Sequence, residues 1–353
     1  MILYDNELYV EDIFYVANLD LPWKLLQDKS IVLSGATGLI GSFFVDVILE
    51  KNKMSGLNCK IYALVRSLDK ANARFCKYIN DKNLVFIQYD VKEALNDNRI
   101  QRADYILHLA SNTHPFLYAT DPIGTITTNI IGVQNLLEFA VNNDTKRFLF
   151  ASSNEIYGEN RGDVELFEEK YCGYIDCNSL RADYPESKRC GEALCQAYNY
   201  QKGIDTVVAR FTRTFGPTMS FSDTKAICQF IIKGVKNEDI VLKSDGKQFY
   251  SYLYVSDAVS GLLTILLSGN NRDAYNISDI SCDIRLKDLA NLVARVSGNK
   301  VVHLESDEVE ASGYSKVTKA RLDGSKLRSL GWNPQYSIEQ GVERTISILR
   351  SII

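Results

Sequence analysis

Two hydrophobic periods alternate along most of the chain. Short apolar runs rich in β-branched residues occupy residues 31–35, 61–66, 84–90, 104–110, 147–153 and 206–211. The longer stretches between them place apolar residues at helical spacing, notably at 39–51, 122–142 and 184–202. Strands that alternate with helices form βαβ units, so the pattern predicts an α/β protein with a parallel sheet covered on both faces.

Three regions differ in pattern, and the differences predict the domain organisation. Residues 1–28 are acidic and aromatic and are expected to form an ordered N-terminal arm. Residues 29–215 carry the alternating pattern. Residues 216–353 are spaced more loosely and predict a smaller C-terminal α/β lobe, with some chain crossing back and helices near 223–235, 257–268, 285–297 and 336–351. Residues 158–183 show no element and are too long for a mere connection, which indicates a functional loop.

Composition and charge exclude several classes of protein. The 353 residues are 46% hydrophobic and 24% charged, as in folded globular proteins. A net charge of −4 provides no footprint for nucleic acid or an acidic membrane. Eight cysteines without a CxxC pair predict reduced thiols and no metal site. No apolar run approaches the ~20 residues that span a bilayer, and the acidic start differs from a signal peptide, so we expect a cytoplasmic location.

A glycine-rich segment follows the first predicted strand. It reads Gly35-Ala36-Thr37-Gly38-Leu39-Ile40-Gly41 and leads into an apolar helix. One glycine permits the tight turn, one lets backbone amides approach a pyrophosphate, and one lets helix and strand pack closely. The segment therefore predicts a dinucleotide site in a Rossmann-type, doubly wound domain at 29–215. The predicted cofactor contacts here are Gly35, Thr37, Gly38, Leu39, Ile40 and Gly41.

The end of the second strand bears on the choice of cofactor. An NAD site usually offers an acid to the ribose 2′-hydroxyl, but this chain has Arg66 there and no acid before Asp69. A guanidinium suits a 2′-phosphate, which favours NADP over NAD. The alternative is an arginine stacked on the adenine of NAD. Asp90, at the end of the third strand, is a candidate partner for the adenine amino group.

A serine, a tyrosine and a lysine form the candidate catalytic group. Ser153 ends the fifth strand, and Tyr184 and Lys188 lie four residues apart, on one face of the next helix. An ammonium beside the phenol would lower its pKa and let it act as a base toward a substrate hydroxyl, which Ser153 would also bind. Such a pair also occurs by chance on exposed helices. Its order after the glycine loop and the strand-end serine favours catalysis.

Together with further segments, these motifs resemble the extended short-chain dehydrogenase/reductase family, specifically the NAD-dependent epimerases and dehydratases that act on nucleotide sugars. The further segments are His108-Leu109-Ala110-Ser111, Asn129 within 128–132, Tyr254-Val255-Ser256-Asp257 and Leu330-Gly331-Trp332-Asn333-Pro334. The likeness extends over nearly the whole chain from Ile31 onward. Within the family, residues 108–132 and 168–198 are most similar to UDP-glucuronate decarboxylases.

The resemblance implies a mechanism and a set of contacts. Hydride would pass from sugar C4 to bound NAD or NADP, carbon dioxide would leave the 4-keto intermediate, and the hydride would return. Further cofactor contacts implied are Val91, Leu109, Ala110, Ser111, Asn129, Tyr184 and Lys188, and substrate contacts are Ser111, His114, Asn154, Arg213 and Tyr250. The helices at 122–142 and 184–202 would form the four-helix bundle of a homodimer.

Asn154 and Glu155, which follow Ser153, bear on which reaction the site catalyses. Decarboxylases and 4,6-dehydratases carry a glutamate matching Glu155, whereas 4-epimerases generally need none. Glu155 is thus a fourth candidate catalytic residue, unless it only binds the loop backbone. dTDP-glucose dehydratases place an acid where this chain has Asn154, which disfavours elimination of water. Elimination stays open, because GDP-mannose dehydratases have serine there. Two further functions stay open, that of a 4-epimerase and that of a catalytically silent dinucleotide-binding module.

The chain departs from the family at two positions near the expected diphosphate. Arg213 replaces a usual asparagine, and Tyr250 replaces a usual arginine. We interpret the pair as a relocated positive charge, the alternative being independent drift with Arg213 in a surface ion pair. His114 follows the fourth strand and is expected either to contact the sugar or to pack in its loop.

Overall fold

The computed structural model describes residues 2–113, 115–304 and 317–353. The described strands are Ser30–Ser34 (β1), Lys60–Val65 (β2), Leu84–Gln88 (β3), Tyr105–His108 (β4), Arg147–Ser153 (β5), Thr206–Phe211 (β6), Arg213–Phe215 (β7), Ile240–Leu242 (β8), Phe249–Tyr254 (β9), Ala274–Ile277 (β10), Asp283–Arg285 (β11), Val301–His303 (β12) and Lys319–Ala320 (β13). The described α-helices are Glu7–Ala17 (α1), Leu39–Ser55 (α2), Leu68–Arg74 (α3), Pro115–Thr120 (α4), Pro122–Asn142 (α5), Asp183–Lys202 (α6), Ala226–Val235 (α7), Val255–Ser268 (α8), Leu286–Ser297 (α9), Ser325–Arg328 (α10) and Ile338–Ile352 (α11).

Seven of the described strands form one parallel sheet, in the order β10-β6-β5-β4-β1-β2-β3. All five residues of β1 are buried, because helices cover both faces of a sheet of this kind. Ile31 and Leu33 face the core that contains α2 and α8, whereas Val32 faces the core that contains α5 and α6. The predicted Rossmann-type, doubly wound sheet is confirmed. Its order reverses between β1 and β4, and such a switch point leaves a crevice at the carboxyl ends of the strands.

The C-terminal part of the chain builds smaller sheets beside this crevice. Strand β9 pairs in parallel with β7 and β13 and antiparallel with β11, and β8 pairs with β12. Strand β10 instead pairs with β6 and extends the central sheet. The residue limits of the proposed domains stay predictions.

The N-terminal segment contains a helix that the sequence pattern did not locate. Helix α1 buries Tyr9, Ile13 and Val16 in the core shared with α2 and α8. The hydroxyl of Tyr254, at the end of β9, donates to the buried carboxylate of Asp12, which Arg344 of α11 also contacts at 2.9 Å. Helix α1 is thus tied to strand β9 and to helix α11.

The segment 158–183 has little regular structure, as its sequence predicts. A short 3₁₀ helix at Leu180–Ala182 leads into α6, and bridges join Glu159 to Tyr174 and Phe167 to Leu322. Elsewhere the predicted strands and helices are present with small shifts at their ends. None of the described helices combines the length and the apolar character needed to cross a bilayer.

Candidate active site

The turn between β1 and α2 brings strand and helix into close contact. Gly35 has a φ of +73°, and a Cβ there would lie 2.8 Å from the backbone nitrogen of Ala110. A Cβ on Gly41 would lie 2.2 Å from the carbonyl oxygen of Gly35. Both positions therefore require glycine, for the turn and for the packing of helix on strand.

The first turn of α2 leaves its backbone amides without a side-chain cap. Gly38 is the N-cap and offers no side-chain acceptor. A Cβ on Gly38 would meet only the Gly35 oxygen, at 3.3 Å, and Thr37 and Gly38 are exposed while Leu39 and Ile40 are half-buried. An uncapped helix N-terminus with an open face suits a pyrophosphate. The loop therefore fits a dinucleotide cofactor.

Ser34 connects this loop to the end of β4. Its hydroxyl lies 2.7 Å from Nδ1 of His108 and accepts a hydrogen bond from the Ala110 amide. The Leu109 amide donates to the Ser34 carbonyl at 3.3 Å. The structure thus places the predicted cofactor contacts at 109–111 directly beside the glycine loop.

Asn129 of α5 joins three parts of the site. Its Oδ1 accepts from the Ser111 hydroxyl at 2.7 Å, and its Nδ2 donates to the Ser187 hydroxyl at 2.8 Å. The Ser187 hydroxyl donates to the carbonyl of Tyr184. Sequence reasoning named Asn129 but missed Ser187, which lies between Tyr184 and Lys188 in the chain. Its contact with Asn129 can be recognised only when α5 is known to lie beside α6.

Tyr184 and Lys188 lie buried beside the end of β5, where Ser153 is also buried. The Lys188 ammonium donates to the Ala151 carbonyl at 2.8 Å and lies 5.8 Å from the centre of the Tyr184 ring. Burial raises the pKa of the Tyr184 phenol to about 12, although hydrogen bonding with Ser153 opposes the rise. Burial also lowers the pKa of Lys188 to about 7. The sequence predicts a lowered pKa for this phenol. In the structure, burial raises the pKa by more than the neighbouring groups lower it.

The described hydrogen bond of the Glu155 carboxylate goes to an arginine side chain. Its Oε2 pairs with Nη2 of Arg181 at 2.7 Å, and its side chain is 20% exposed. The Arg181 guanidinium lies over the ring of Tyr118, 4.5 Å from the ring centre, and Tyr118 stacks on Tyr184 with centres 4.8 Å apart. Sequence reasoning missed Arg181, whose only signal is an arginine three residues before the tyrosine.

Two further buried groups border the same space. Asn154 is buried, with its Oδ1 3.5 Å from the Ser153 hydroxyl. Asp183 is buried as well, and burial raises the pKa of its carboxyl group to about 6. Asp183 is a third residue that sequence reasoning missed.

Arg213 and Tyr250, the two departures from the family pattern, lie in direct contact. The guanidinium carbon of Arg213 is 3.4 Å from the centre of the Tyr250 ring. Nη1 of Arg213 is buried without a described hydrogen-bond partner, and the Tyr250 hydroxyl donates to the Val317 carbonyl. Arg213 is thus stacked on Tyr250 rather than engaged in a described ion pair.

The remaining predicted contacts lie at the other end of the crevice or outside the described residues. Arg66 and Asp90 are exposed beyond the ends of β2 and β3, and Asp90 pairs with Lys92 at 3.7 Å. Val91 packs against α5, where its carbonyl accepts from Asn135. His114 lies outside the described residues. Across the described chain, no group of three His, Cys, Asp or Glu residues could hold a metal ion.

Comparison with known proteins gives a family and close relatives. A model of the NAD dependent epimerase/dehydratase family matches residues 31–278. UDP-glucuronic acid decarboxylase 1 of Xenopus tropicalis is 31% identical over 334 residues, which cover 93% of this chain and 75% of that protein. UDP-glucuronic acid decarboxylase 3 of Arabidopsis thaliana is 31% identical over 313 residues, covering 88% of this chain and 86% of that protein.

Solved structures share the fold at lower identity. The dTDP-glucose 4,6-dehydratase of Streptomyces venezuelae, solved with NAD bound, has a TM-score of 0.79 at 24% identity and covers 91% of this chain and 97% of its own. The UDP-glucuronic acid 4-epimerase of Bacillus cereus, solved with UDP-glucuronic acid and NAD, has a TM-score of 0.77 at 20% identity and covers 92% of this chain and 100% of its own.

Proposed function

This chain belongs to the NAD-dependent epimerase/dehydratase family, and from that membership we propose that it decarboxylates a UDP-glucuronate-like nucleotide sugar. The observation that carries the proposal is the position of Glu155, a half-buried carboxylate held within the group that contains Tyr184 and Ser153. Relatives about 30% identical over most of the chain, named UDP-glucuronic acid decarboxylases, support the same reaction.

The side chains at the end of β5 would handle the protons of this reaction. A bound NAD-type cofactor would supply reversible acceptance of the hydride from sugar C4. The Tyr184 phenolate would take the proton of the C4 hydroxyl, with the Ser153 hydroxyl as a hydrogen-bond partner, and would later return it. Burial of Tyr184 and Lys188 excludes water from this transfer.

Glu155 would act at the neighbouring sugar carbon. A ketone at C4 allows the bond from C5 to the carboxyl group to break, since the electron pair is delocalised into the ketone as carbon dioxide leaves. A proton must then be added at C5, and Glu155 would position or deliver it. Return of the hydride to C4 restores the alcohol, so the reaction causes no net redox change.

Product analysis tests the proposal. Purified protein is incubated with UDP-, GDP-, CDP- and dTDP-sugars, and products are analysed by mass spectrometry. A UDP-glucuronate product that has lost the mass of carbon dioxide supports decarboxylation. Loss of the mass of water would indicate a 4,6-dehydratase, and an unchanged mass with altered chromatographic mobility would indicate a 4-epimerase. No product from any sugar would indicate a silent dinucleotide-binding module.

We place the substrate diphosphate beside Arg213 and Tyr250. The unpartnered Nη1 of Arg213 supports a role in anion binding, and the stack on Tyr250 would hold the guanidinium in place. Ser111, His114 and Asn154 complete the proposed substrate contacts. The Arg213→Ala variant should bind the nucleotide sugar more weakly, and unchanged affinity in titration calorimetry would contradict the placement.

NADP is the proposed form of the cofactor. Arg66 is exposed at the carboxyl end of β2, where a guanidinium is free to pair with a 2′-phosphate. Mass spectrometry of the nucleotide released from denatured protein distinguishes the two forms. Release of NAD alone would instead support the stacking of Arg66 on the adenine.

A homodimer is also part of the proposal. Helices α5 and α6 pack against each other, and α5 leaves Ile123, Ile126 and Ile131 exposed while Tyr200 of α6 is 84% exposed. Apolar side chains on such a helix pair suit a four-helix bundle with a second copy. Light scattering should give the mass of a dimer, and the Ile126→Glu variant should shift it toward a monomer.

A cytoplasmic location likewise stays a prediction.

A further inference from the structure

Arg181 is a buried cation that the proposed reaction does not use. It lies at the end of the segment 158–183, two residues before α6, and its side chain is only 12% exposed. Nη2 binds Glu155, but Nε and Nη1 are buried without a described hydrogen-bond partner. Burying a guanidinium with unsatisfied donors costs stability, which indicates that the position serves the site rather than the fold.

The contacts of Arg181 connect two of the proposed catalytic residues. On one side its Nη2 holds the Glu155 carboxylate at 2.7 Å. Its guanidinium carbon also lies over the ring of Tyr118, 4.5 Å from the ring centre, and that ring stacks on Tyr184 at an interplanar angle of 25°. A displacement of Arg181 would therefore disturb both the carboxylate and the phenol.

We propose that Arg181 is a positioning residue that couples Glu155 to Tyr184, through its ion pair with the carboxylate and through the stacked ring of Tyr118. This inference rests on the proposed function of the site. It assigns a role to the loop before α6, which would hold the Arg181 guanidinium between Tyr184 and Glu155.

Arg181 also affects the Tyr184 phenol through its charge, in addition to its packing contacts. Glu155 after β5 and Arg181 before α6 are charged groups that shift the pKa of Tyr184. The ammonium of Lys188, on the same helix, lies 5.8 Å from the ring centre, and Asp183 is the preceding residue. The hydroxyls of Ser153 and Ser111 also face the phenol. Glu155 raises the pKa of Tyr184 and Arg181 lowers it. Without Arg181, the carboxylate would act uncompensated, so more alkaline conditions would be needed to form the phenolate.

Kinetic measurements on Arg181 variants test the coupling. We expect R181Q to reduce kcat on UDP-glucuronate by about 100-fold, the loss typical of a misplaced catalytic group, with a smaller change in KM. The acidic limb of its kcat profile should move to higher pH. R181K should bring this limb back toward the native position, because it keeps the charge, while kcat stays low because an ammonium cannot reproduce the planar contact with Tyr118.

R161Q is a matched control in the same segment. Arg161 also pairs with an acid, Asp163, at 2.9 Å and lies over a tyrosine ring, that of Tyr171, but it is 58% exposed. Its kcat and pH profile should equal those of the native protein.

Tyr118→Phe should retain activity because the stacked ring remains, whereas Tyr118→Leu should reproduce the loss seen in R181Q. If R181Q fails to fold, R181K and the two Tyr118 variants decide the question.

A second readout does not depend on turnover. The ultraviolet absorbance of the phenolate is titrated in the native background and in Tyr184→Phe, and the difference isolates Tyr184. The same pair of titrations in R181Q should give a higher pKa. An unshifted pKa together with native kcat would overturn the inference and leave the proposed function standing. A native protein without turnover of UDP-glucuronate would overturn the proposed function, and the inference with it.

Discussion

Single side chains in the site carry charges that burial opposes. Lys188 is 2% exposed, and its ammonium has one described hydrogen bond, to a backbone carbonyl. In the proposed reaction, Tyr184 would have to ionise in the same buried surroundings. Burial thus favours the neutral form of each residue. For Tyr184, the neighbours Arg181 and Ser153 oppose this effect.

Replacing Lys188 with methionine should change the pH dependence of stability. Burial lowers the pKa of Lys188 to about 7 from its usual 10.5, so between these pH values the folded protein binds fewer protons than the unfolded chain. The lysine therefore destabilises the fold increasingly as the pH falls through this window, and by a constant amount below it. The melting temperature of Lys188→Met, relative to the native protein, should rise as the pH falls from 10.5 to 7.

Lys202 provides the control for this measurement. It is exposed on the same helix, so the difference between Lys202→Met and the native protein should not depend on pH in this window. A pH-independent difference for Lys188→Met would show that its ammonium is solvated in the folded state.

Two glycines at the junction of β1 and α2 have different structural roles. A Cβ on Gly41 would clash with the turn after β1, 2.2 Å from the Gly35 carbonyl oxygen, whereas a Cβ on Gly38 would make a single tight contact with the same oxygen at 3.3 Å. The difference indicates that Gly41 serves packing, while Gly38 keeps the helix N-terminus open for a phosphate.

Two alanine variants test this division. Gly41→Ala should lower the melting temperature of cofactor-free protein, since its Cβ would lie 2.2 Å from a carbonyl oxygen. Gly38→Ala should lower the melting temperature less than Gly41→Ala, because its Cβ contact is longer, at 3.3 Å. It should weaken the binding of the dinucleotide, because the methyl group covers the amides. Calorimetric titration with NAD and NADP measures the binding. Unaltered affinity in Gly38→Ala would place the pyrophosphate elsewhere.

The N-terminal helix and the central domain are joined by a buried cluster of charge. Asp46 of α2 is fully buried, pairs with Arg74 at 2.6 Å, and accepts hydrogen bonds from Tyr4 at 2.6 Å and from Tyr9. Asp12 of α1 makes a similar buried contact with Arg344 near the other end of the chain. Residues 4–17 therefore link parts of the molecule that are distant in sequence.

Asp46→Asn should destabilise the whole molecule. Removing one partner leaves the Arg74 guanidinium, 16% exposed, without its counter-charge, and such a change costs about 3–5 kcal/mol. Urea denaturation measures the loss in the free energy of unfolding. As a control, Asp245→Asn, which breaks the exposed pair with Lys247, should cause no measurable change. An equally small effect in Asp46→Asn would mean that water reaches the cluster.

Much of the site could be predicted from neighbouring residues along the chain. The glycine loop, Ser153, and the pair Tyr184 and Lys188 depend on local spacing, because a turn, a strand end and one helical face are each set within a few residues. Arg181, Asp183 and Ser187 could not be identified in this way. Arg181 contacts α4 and the residue pair after β5, and Ser187 contacts α5, and no local pattern reveals these contacts.

The order of hydrophobic and polar residues by itself determined the parallel sheet, its covering helices and the loop at 158–183, since each follows from short-range periodicity and from the burial that a two-sided sheet requires. Only the tertiary structure decided that Glu155 pairs with Arg181, that Arg213 stacks on Tyr250, and that burial raises the pKa of Tyr184. The physical reason is that charge interactions and desolvation depend on distances between side chains from separate elements, and packing alone sets those distances.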